Sequence, residues 1–330
     1  MKSYPQWIPQ SWIKAPPHNL LFRVDAGNTY GLSYGHLFRS ILLAEFAQER
    51  WATQVTFLTC SDTLALKYLT KHIANVQQIK SSHQSLLQTS NLDIFDWIVL
   101  DLPYRSFPFD SQCFQLTKIG KRVLLIDDVI FNPPSSISVY HNSGIIAEKK
   151  IVDRKEGIEY QIGPDFLIAN LPEPKCPISE SEPPRNILIT FGGSDPSGLS
   201  IATSRLLNER FSDFPGVFTF VTGPGYTEHR QLNSSVETSL NQKTIANPVD
   251  LYKLMLENQM IICAGGRTLY EAYKLNLNIF SIPSIQHEVE VVAQFVKRGL
   301  LEHFQLSWDS EEFERVLRKA TDWPCRSNTM

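Results

Sequence analysis

The sequence has no CxxC pair. Its five cysteines, Cys60, Cys113, Cys176, Cys263 and Cys325, are scattered and odd in number. This pattern argues against a zinc site or a disulfide framework, and reduced thiols in a cytoplasm are the expectation. It also lacks a run approaching the ~20 apolar residues of a membrane span, so no transmembrane segment is expected. The first twenty residues, MKSYPQWIPQSWIKAPPHNL, hold four prolines and two tryptophans but no continuous apolar core, unlike a signal peptide. Neither sign of charge dominates. With 31 Lys and Arg against 34 Asp and Glu, the formal net charge is −3, and no long basic run advertises nucleic acid. Two nucleotide motifs are missing as well. No GK[ST] follows a glycine loop, and no GxGxxG opens a helix with an acidic residue ~20 positions on, which counts against a dehydrogenase.

What is there is an alternation of apolar runs and amphipathic stretches over 330 residues, long enough for two domains. Strands are expected at 20–24, 54–58, 97–100 and 122–126, with helices at 35–49 and 61–71. In the first helix Leu37, Ile41, Ala44 and Ala47 recur at helical spacing and define a buried face. LPEPKCPISESEPPR, residues 171–185, holds five prolines and reads as a linker. A second series follows: strands at 186–191, 217–223, 260–266 and 279–283, helices at 199–208, 249–257, 268–274 and 287–298. Unbroken apolar strands alternating with helices imply parallel sheets covered on both faces. The expected division is an N-terminal extension over 1–19, an α/β domain over 20–170, the linker over 171–185, and a second α/β domain over 186–330. Trp7, Ile8, Trp12 and Ile13 are expected to pack back on the domain; a partner or a membrane surface is the alternative.

In open parallel sheets ligands sit at the carboxyl ends of strands, so the loops that follow strands carry the candidates. YGLSYGHLFRS follows the first strand. Gly31 and Gly35 would let a ligand approach the backbone, and His36 either caps the next helix or serves as a general base near neutral pH. ITFGGSDPSG follows the first strand of the second half. Gly192, Gly193 and Ser194 can present N–H groups and a hydroxyl to phosphate with a helix N-terminus behind, or form a plain turn. CAGGRTLYEA repeats the arrangement: Gly265, Gly266 and Thr268 at a helix start, Arg267 adding charge, and Glu271 suited to ribose hydroxyls or simply favoured by the helix dipole. In IANPVDLYKLM the backbone of Val249 could pair with a flat base edge. Asp127 and Asp128 of IDDV, and Asp101 of LDLPY, stand at strand ends, where capping competes with substrate contact.

Taken in order, RVDAG…YG…GHLFR, LDLPY, IDD, NILITFGGSDPSGLS and CAGGRTLYEA resemble the UDP-2,4-diacetamido-2,4,6-trideoxy-β-L-altropyranose hydrolases of pseudaminic acid synthesis. The wider family includes spore-coat polysaccharide biosynthesis proteins and is related to the peptidoglycan GlcNAc transferase. The resemblance covers roughly residues 20–301. It implies a GT-B architecture: two Rossmann-like domains with parallel sheets facing across a cleft, UDP mostly on the C-terminal one, and no metal or cofactor. It implies His36 as the base that activates water for inverting attack at the anomeric carbon, with Asp25 orienting it or holding the sugar. Gly31, Gly35 and Arg39 match the GH segment. Gly192–Ser194, Val249, Gly265–Thr268 and Glu271 match the UDP-binding segments. Asp101, Tyr104, Asp127, Asp128 and Gln286 are sugar-side candidates. The chain departs from the family pattern in a GH loop two residues longer, in Arg267 where a small hydroxyl residue is usual, in LIANLP after GPDF, and in Gln286 several residues early.

The resulting expectation is a UDP-sugar hydrolase of surface-glycan or nonulosonic-acid synthesis, cytoplasmic or peripheral to the membrane. The alternative is a GT-B glycosyltransferase with a sugar or lipid-linked acceptor. A third reading is a nucleotide-sugar-binding protein without catalysis.

Overall fold

The computed structural model describes residues 4–27, 34–81, 86, 91–102, 109–126, 133, 134, 136–144, 157–174 and 183–322, those at 109–112 by their backbone only. The chain forms two compact units, Met1–Ala169 and Asn170–Met330.

Unit 1 contains α1 (Gln10–Lys14), β1 (Asn19–Val24), α2 (Tyr34–Trp51), β2 (Gln54–Thr59), α3 (Thr63–His72), β3 (Val76–Gln78), β4 (Trp97–Asp101), α4 (Phe109–Lys118), β5 (Arg122–Ile126), β6 (Val139–Asn142) and β7 (Glu159–Ile162). Among the described residues these strands form a seven-stranded sheet in the order β3-β2-β1-β4-β5-β6-β7, with parallel pairing throughout. Unit 2 contains β8 (Asn186–Thr190), α5 (Leu199–Arg210), β9 (Val217–Thr222), α6 (His229–Glu237), β10 (Gln242–Ala246), α7 (Leu251–Glu257), β11 (Met260–Cys263), α8 (Arg267–Lys274), β12 (Asn278–Ser281), α9 (Gln286–Lys297), β13 (His303–Phe304) and α10 (Ser310–Thr321). Its strands run β10-β9-β8-β11-β12-β13, again parallel.

Both sheets therefore reverse their strand order next to their first strand, at β1/β4 and at β8/β11. Such a switch point leaves a crevice at the carboxyl ends, because the two neighbouring connections leave toward opposite faces. The apolar runs explain the strands: Leu20, Leu21, Phe22 and Val24 are all buried, as are Ile187, Leu188 and Ile189. Three helices start where an N-cap aspartate satisfies a free N–H group. Asp62 accepts from Ala65 N at 2.8 Å to open α3, and Asp250 and Asp309 do the same for α7 and α10.

The residues before β1 belong to the core of unit 1. Trp7, Ile8 and Trp12 are buried, with Trp12 edge-on to Trp97 at 5.7 Å and Trp7 to Phe46 at 5.4 Å. Glu159 of β7 accepts from Gln10 N at 2.5 Å and Ser11 N at 2.9 Å, fixing the start of α1. Their buried rings leave the membrane-surface alternative without support. Among the described residues no helix is long and apolar enough to cross a membrane.

Candidate functional site

Asp101 ends β4 directly opposite Val24, the last residue of β1, so it stands at the switch point of unit 1. α2 begins at the same end. The sequence GHLFRS places His36, Arg39 and Ser40 at i, i+3 and i+4, hence on one face of the helix. All three converge on Asp101. His36 Nδ1 lies 2.7 Å from Asp101 Oδ1. Arg39 donates from Nη2 to Oδ1 at 2.6 Å and from Nε to Oδ2 at 2.8 Å, and Ser40 Oγ donates to Oδ2 at 2.9 Å.

Asp101 is fully buried. Burial pushes its carboxyl up, but the Arg39 guanidinium, followed by His36, outweighs that and holds it well below the usual carboxylate range. An ionised carboxylate only accepts, so Nδ1 must carry the proton at 2.7 Å from Oδ1. Arg39 Nη2, 3.0 Å from Nδ1, is then a second donor on the same oxygen rather than a partner of the ring. The tautomer leaves the Nε2 lone pair as the ring's acceptor. The His36 side chain retains 16% exposure, enough to meet a ligand. An oriented imidazole with an open Nε2 can take a proton from a hydroxyl or a water.

Gly35 and His36 stand in the first turn of α2, within the expected helix over 35–49, which begins one residue earlier at buried Tyr34. One expected role changes. Asp25 is not the residue that orients His36. Its oxygens take a two-pronged bond from Arg23, at 2.5 and 2.9 Å, and Oδ1 also accepts from Cys60 N at 2.6 Å. The pair is buried at the end of β1. Gly31, Tyr104, Asp127 and Asp128 lie outside the described residues.

In unit 2, Thr190 and Cys263 are opposite each other at the ends of β8 and β11. Gly192 adopts φ +81°, a left-handed conformation that favours glycine. Gly193 O accepts from Gly225 N at 2.9 Å, tying the loop to the one after β9. Ser194 is buried. Behind them the start of α5 is already occupied: Asp195 accepts from Leu199 N at 2.9 Å and from Ser200 N at 2.7 Å. The expectation that this helix end lies open to a phosphate is therefore corrected, since the chain's own carboxylate takes the N–H groups. Burial pushes the Asp195 carboxyl up, and the N–H bonds offset only part of that.

The start of α8 differs. Gly266 is its N-cap and offers no side chain. A Cβ on Gly265 would come 2.7 Å from the backbone oxygen of Glu288, so close packing requires that glycine, whereas one on Gly266 would meet only the end of the Glu288 side chain, Oε1, at 2.7 Å. Arg267 turns back along its helix and donates from Nε to Glu271 Oε1 at 2.6 Å. Tyr252 donates to the same oxygen at 2.9 Å. Arg267 and Glu271, expected on pyrophosphate and ribose, thus hold each other; neither bond uses Glu271 Oε2. Thr268 is half-buried in the first turn, the Val249 side chain stands in solvent before α7, and Gln286 is exposed at the start of α9.

Sequence reasoning did not single out Glu288, Tyr252 or Ser40. Glu288 is buried, and its Oε2 accepts from Ser284 N at 2.7 Å and Ser284 Oγ at 2.8 Å. Burial pushes its carboxyl up, against hydrogen bonds from Ser284, Ile285 and Gly265. A Glu three positions after an N-cap is the available signal, because it reaches back to the free N–H groups.

No family model matches the chain. Many solved structures share its architecture. MurG of Acinetobacter baumannii is 14% identical, with 92% of this chain and 90% of that one covered and a TM-score of 0.57. The calicheamicin glycosyltransferase CalG4 is 10% identical, with 93% and 90% covered and a TM-score of 0.60. HepE of Anabaena, solved in complex with UDP, is 11% identical over 92% and 90% with a TM-score of 0.51. The chain has the GT-B fold, two α/β units each with a parallel sheet. In sequence it is similar to the spore coat polysaccharide biosynthesis protein SpsG of Bacillus subtilis, 22% identical over 287 residues, 84% of this chain and 81% of the relative. It is also similar to an uncharacterized protein of Methanocaldococcus jannaschii, 23% identical over 282 residues. That match covers 81% of this chain and spans only 56% of the relative's length.

Proposed function

We propose that the chain is an inverting, UDP-sugar-dependent glycosyltransferase of surface-polysaccharide biosynthesis. The observation that carries this reading is the imidazole of His36, held through Nδ1 by buried Asp101 at the switch point of unit 1 and partly exposed, with no hydrogen bond to Nε2 among the described residues. In this reading unit 2 holds the nucleotide and unit 1 supplies the base. His36 Nε2 takes the proton of an acceptor hydroxyl as its oxygen attacks the anomeric carbon on the face opposite the leaving group. The bond to the β-phosphate oxygen breaks, UDP departs with the electron pair, and the configuration inverts. The uncapped start of α8, with its N–H groups and positive dipole end, would stabilise charge developing on the diphosphate. The reading calls for no metal.

Hydrolysis, the first expectation from the sequence, uses the same base on water. The relative named for polysaccharide biosynthesis and the glycosyltransferase neighbours support transfer, and UDP in the Anabaena neighbour supports the nucleotide. The test is UDP release from a panel of UDP-sugars, with and without candidate sugar or lipid-linked acceptors, for the native chain and His36→Ala. Acceptor-dependent release that is lost in the variant, with UDP still bound, is the expected result. Equal release without acceptor would point to the hydrolase. UDP bound without any turnover would leave a binding protein, and no UDP binding would sink the reading.

A further inference from the structure

The strand-end loops of unit 2 meet at one side chain, Glu288 in the first turn of α9. Its Oε2 accepts from Ser284 N at 2.7 Å and from Ser284 Oγ at 2.8 Å. Its carboxyl also accepts from the N–H groups of Ile285 and Gly265. Ser284 and Ile285 follow β12 and Gly265 follows β11, so the carboxyl spans neighbouring loops at the carboxyl ends of the sheet. Ser284 extends the chain to a third loop, since its carbonyl accepts from the hydroxyl of Ser197 after β8. Gly225 N on Gly193 O adds the loop after β9.

These ties act on backbone that cannot hold its own shape. Gly265 and Gly266 have no Cβ to restrict φ and ψ, and they lead directly into α8. The free N–H groups of a helix start bind an anion only where they point at it, so any turn of these glycines re-aims them. Glu288 is 7% exposed and reaches the loop from within the fold, with Oε1 against Gly266. On the reading that unit 2 holds the nucleotide, we infer that Glu288 is a positioning residue for the donor. By tying Gly265 to Ser284, and through Ser284 to Ser197, it holds the glycine loops after β8 and β11 in the arrangement that receives the diphosphate. A cradle ordered in advance spares the ligand the cost of ordering it.

The experiment compares the full native chain with Glu288→Gln by UDP titration calorimetry and by hydrogen exchange. Gln fills the same space, but its amide nitrogen accepts nothing, whereas a carboxyl oxygen accepts in either protonation state. The donors on Glu288 cannot all be met by one amide oxygen, so the tie to Gly265 or to Ser284 opens. UDP affinity is expected to fall about tenfold or more. Exchange is expected to quicken at the start of α8 and in the loop after β12 and to hold elsewhere in unit 2. In turnover the donor KM should rise with kcat at saturating donor unchanged. Unchanged UDP affinity would overturn the inference, and so would a loss of affinity with faster exchange throughout unit 2, which is general loosening. Ser197→Ala, at an exposed residue, tests the same chain if the first variant does not fold. It should weaken UDP by about threefold, and native affinity there would overturn the inference. A native chain that binds no UDP fails the reading of unit 2 itself, whereas native binding with an unchanged variant fails only the role of Glu288.

Discussion

The two units share a reversal of strand order beside their first strand, but the buried carboxylate at the end of β4 is treated in the opposite way to two buried carboxylates of unit 2. In unit 1, Asp101 is faced by a guanidinium and an imidazole and is held ionised. In unit 2, Asp195 and Glu288 are faced mainly by backbone N–H groups and hydroxyls, and burial pushes both toward the neutral form. Neutral dipoles offset only part of a desolvation penalty that a full opposite charge can cancel. The consequence is functional. An ionised carboxylate can fix a ring tautomer, whereas a carboxyl pushed toward the neutral form beside Gly265 and Gly266 repels an anion less than a fully charged one would.

The sharpest way to break this contrast is turnover. His36→Ala should lower acceptor-dependent UDP release by ~10²–10⁴-fold and leave UDP affinity unchanged; a change confined to affinity would move the chemistry elsewhere. Next comes stability. Asp101→Ala removes the buried carboxylate that Arg39 and His36 share and should cost about 3–5 kcal/mol by denaturant unfolding. Asp195→Ala removes a helix cap and should cost about 1–2 kcal/mol. Equal costs would mean that both carboxylates act alike.

The smallest effect concerns pH, and its sign separates the units. Asp101 titrates lower in the folded state than unfolded. Its contribution is complete above the ordinary carboxylate value, about 3.9, and is lost as pH falls below it toward the folded value. Glu288 titrates higher when folded. It favours the folded state while protonated and loses that contribution as pH rises from the ordinary glutamate range, about 4.3, through its folded value. Glu288→Gln should therefore be close to neutral or slightly stabilising at pH 7 and lose ground against the native chain as pH falls toward 4.5. Hydrogen exchange in unit 2 peptides would follow this, and the reverse trend would show that Glu288 is ionised throughout.

Much of the architecture was legible because it is local. The apolar runs of β1, β4 and β8 and the 3.6-residue spacing of Leu37, Ile41, Ala44 and Ala47 each report on one short segment. The short strands β6 and β7 were not legible: VYHN and EYQI bury His141, Asn142, Glu159 and Gln161 instead of forming apolar runs. Gln161 and Glu159 are buried because they bond the N-terminal segment nearly 150 residues away, a pairing that no local pattern encodes.

The candidate site divides the same way. The sequence by itself determined two α/β units, the glycine-bearing strand ends, and a helix that sets His36, Arg39 and Ser40 on one face. It could not tell which carboxylate they meet. Asp25, nearer in sequence, was expected to orient the ring or to hold the sugar; Asp101, 65 residues from His36, is the carboxylate that meets Nδ1. Tertiary structure decided this because β4, not the end of β1, brings a buried and otherwise unpaired anion to the α2 face, while Asp25 is consumed by Arg23 two residues before it. It likewise filled the start of α5 with Asp195 and left α8 without a side-chain cap. Periodicity is written in neighbouring residues, but a buried charge takes its partner from whichever strand the fold lays beside it.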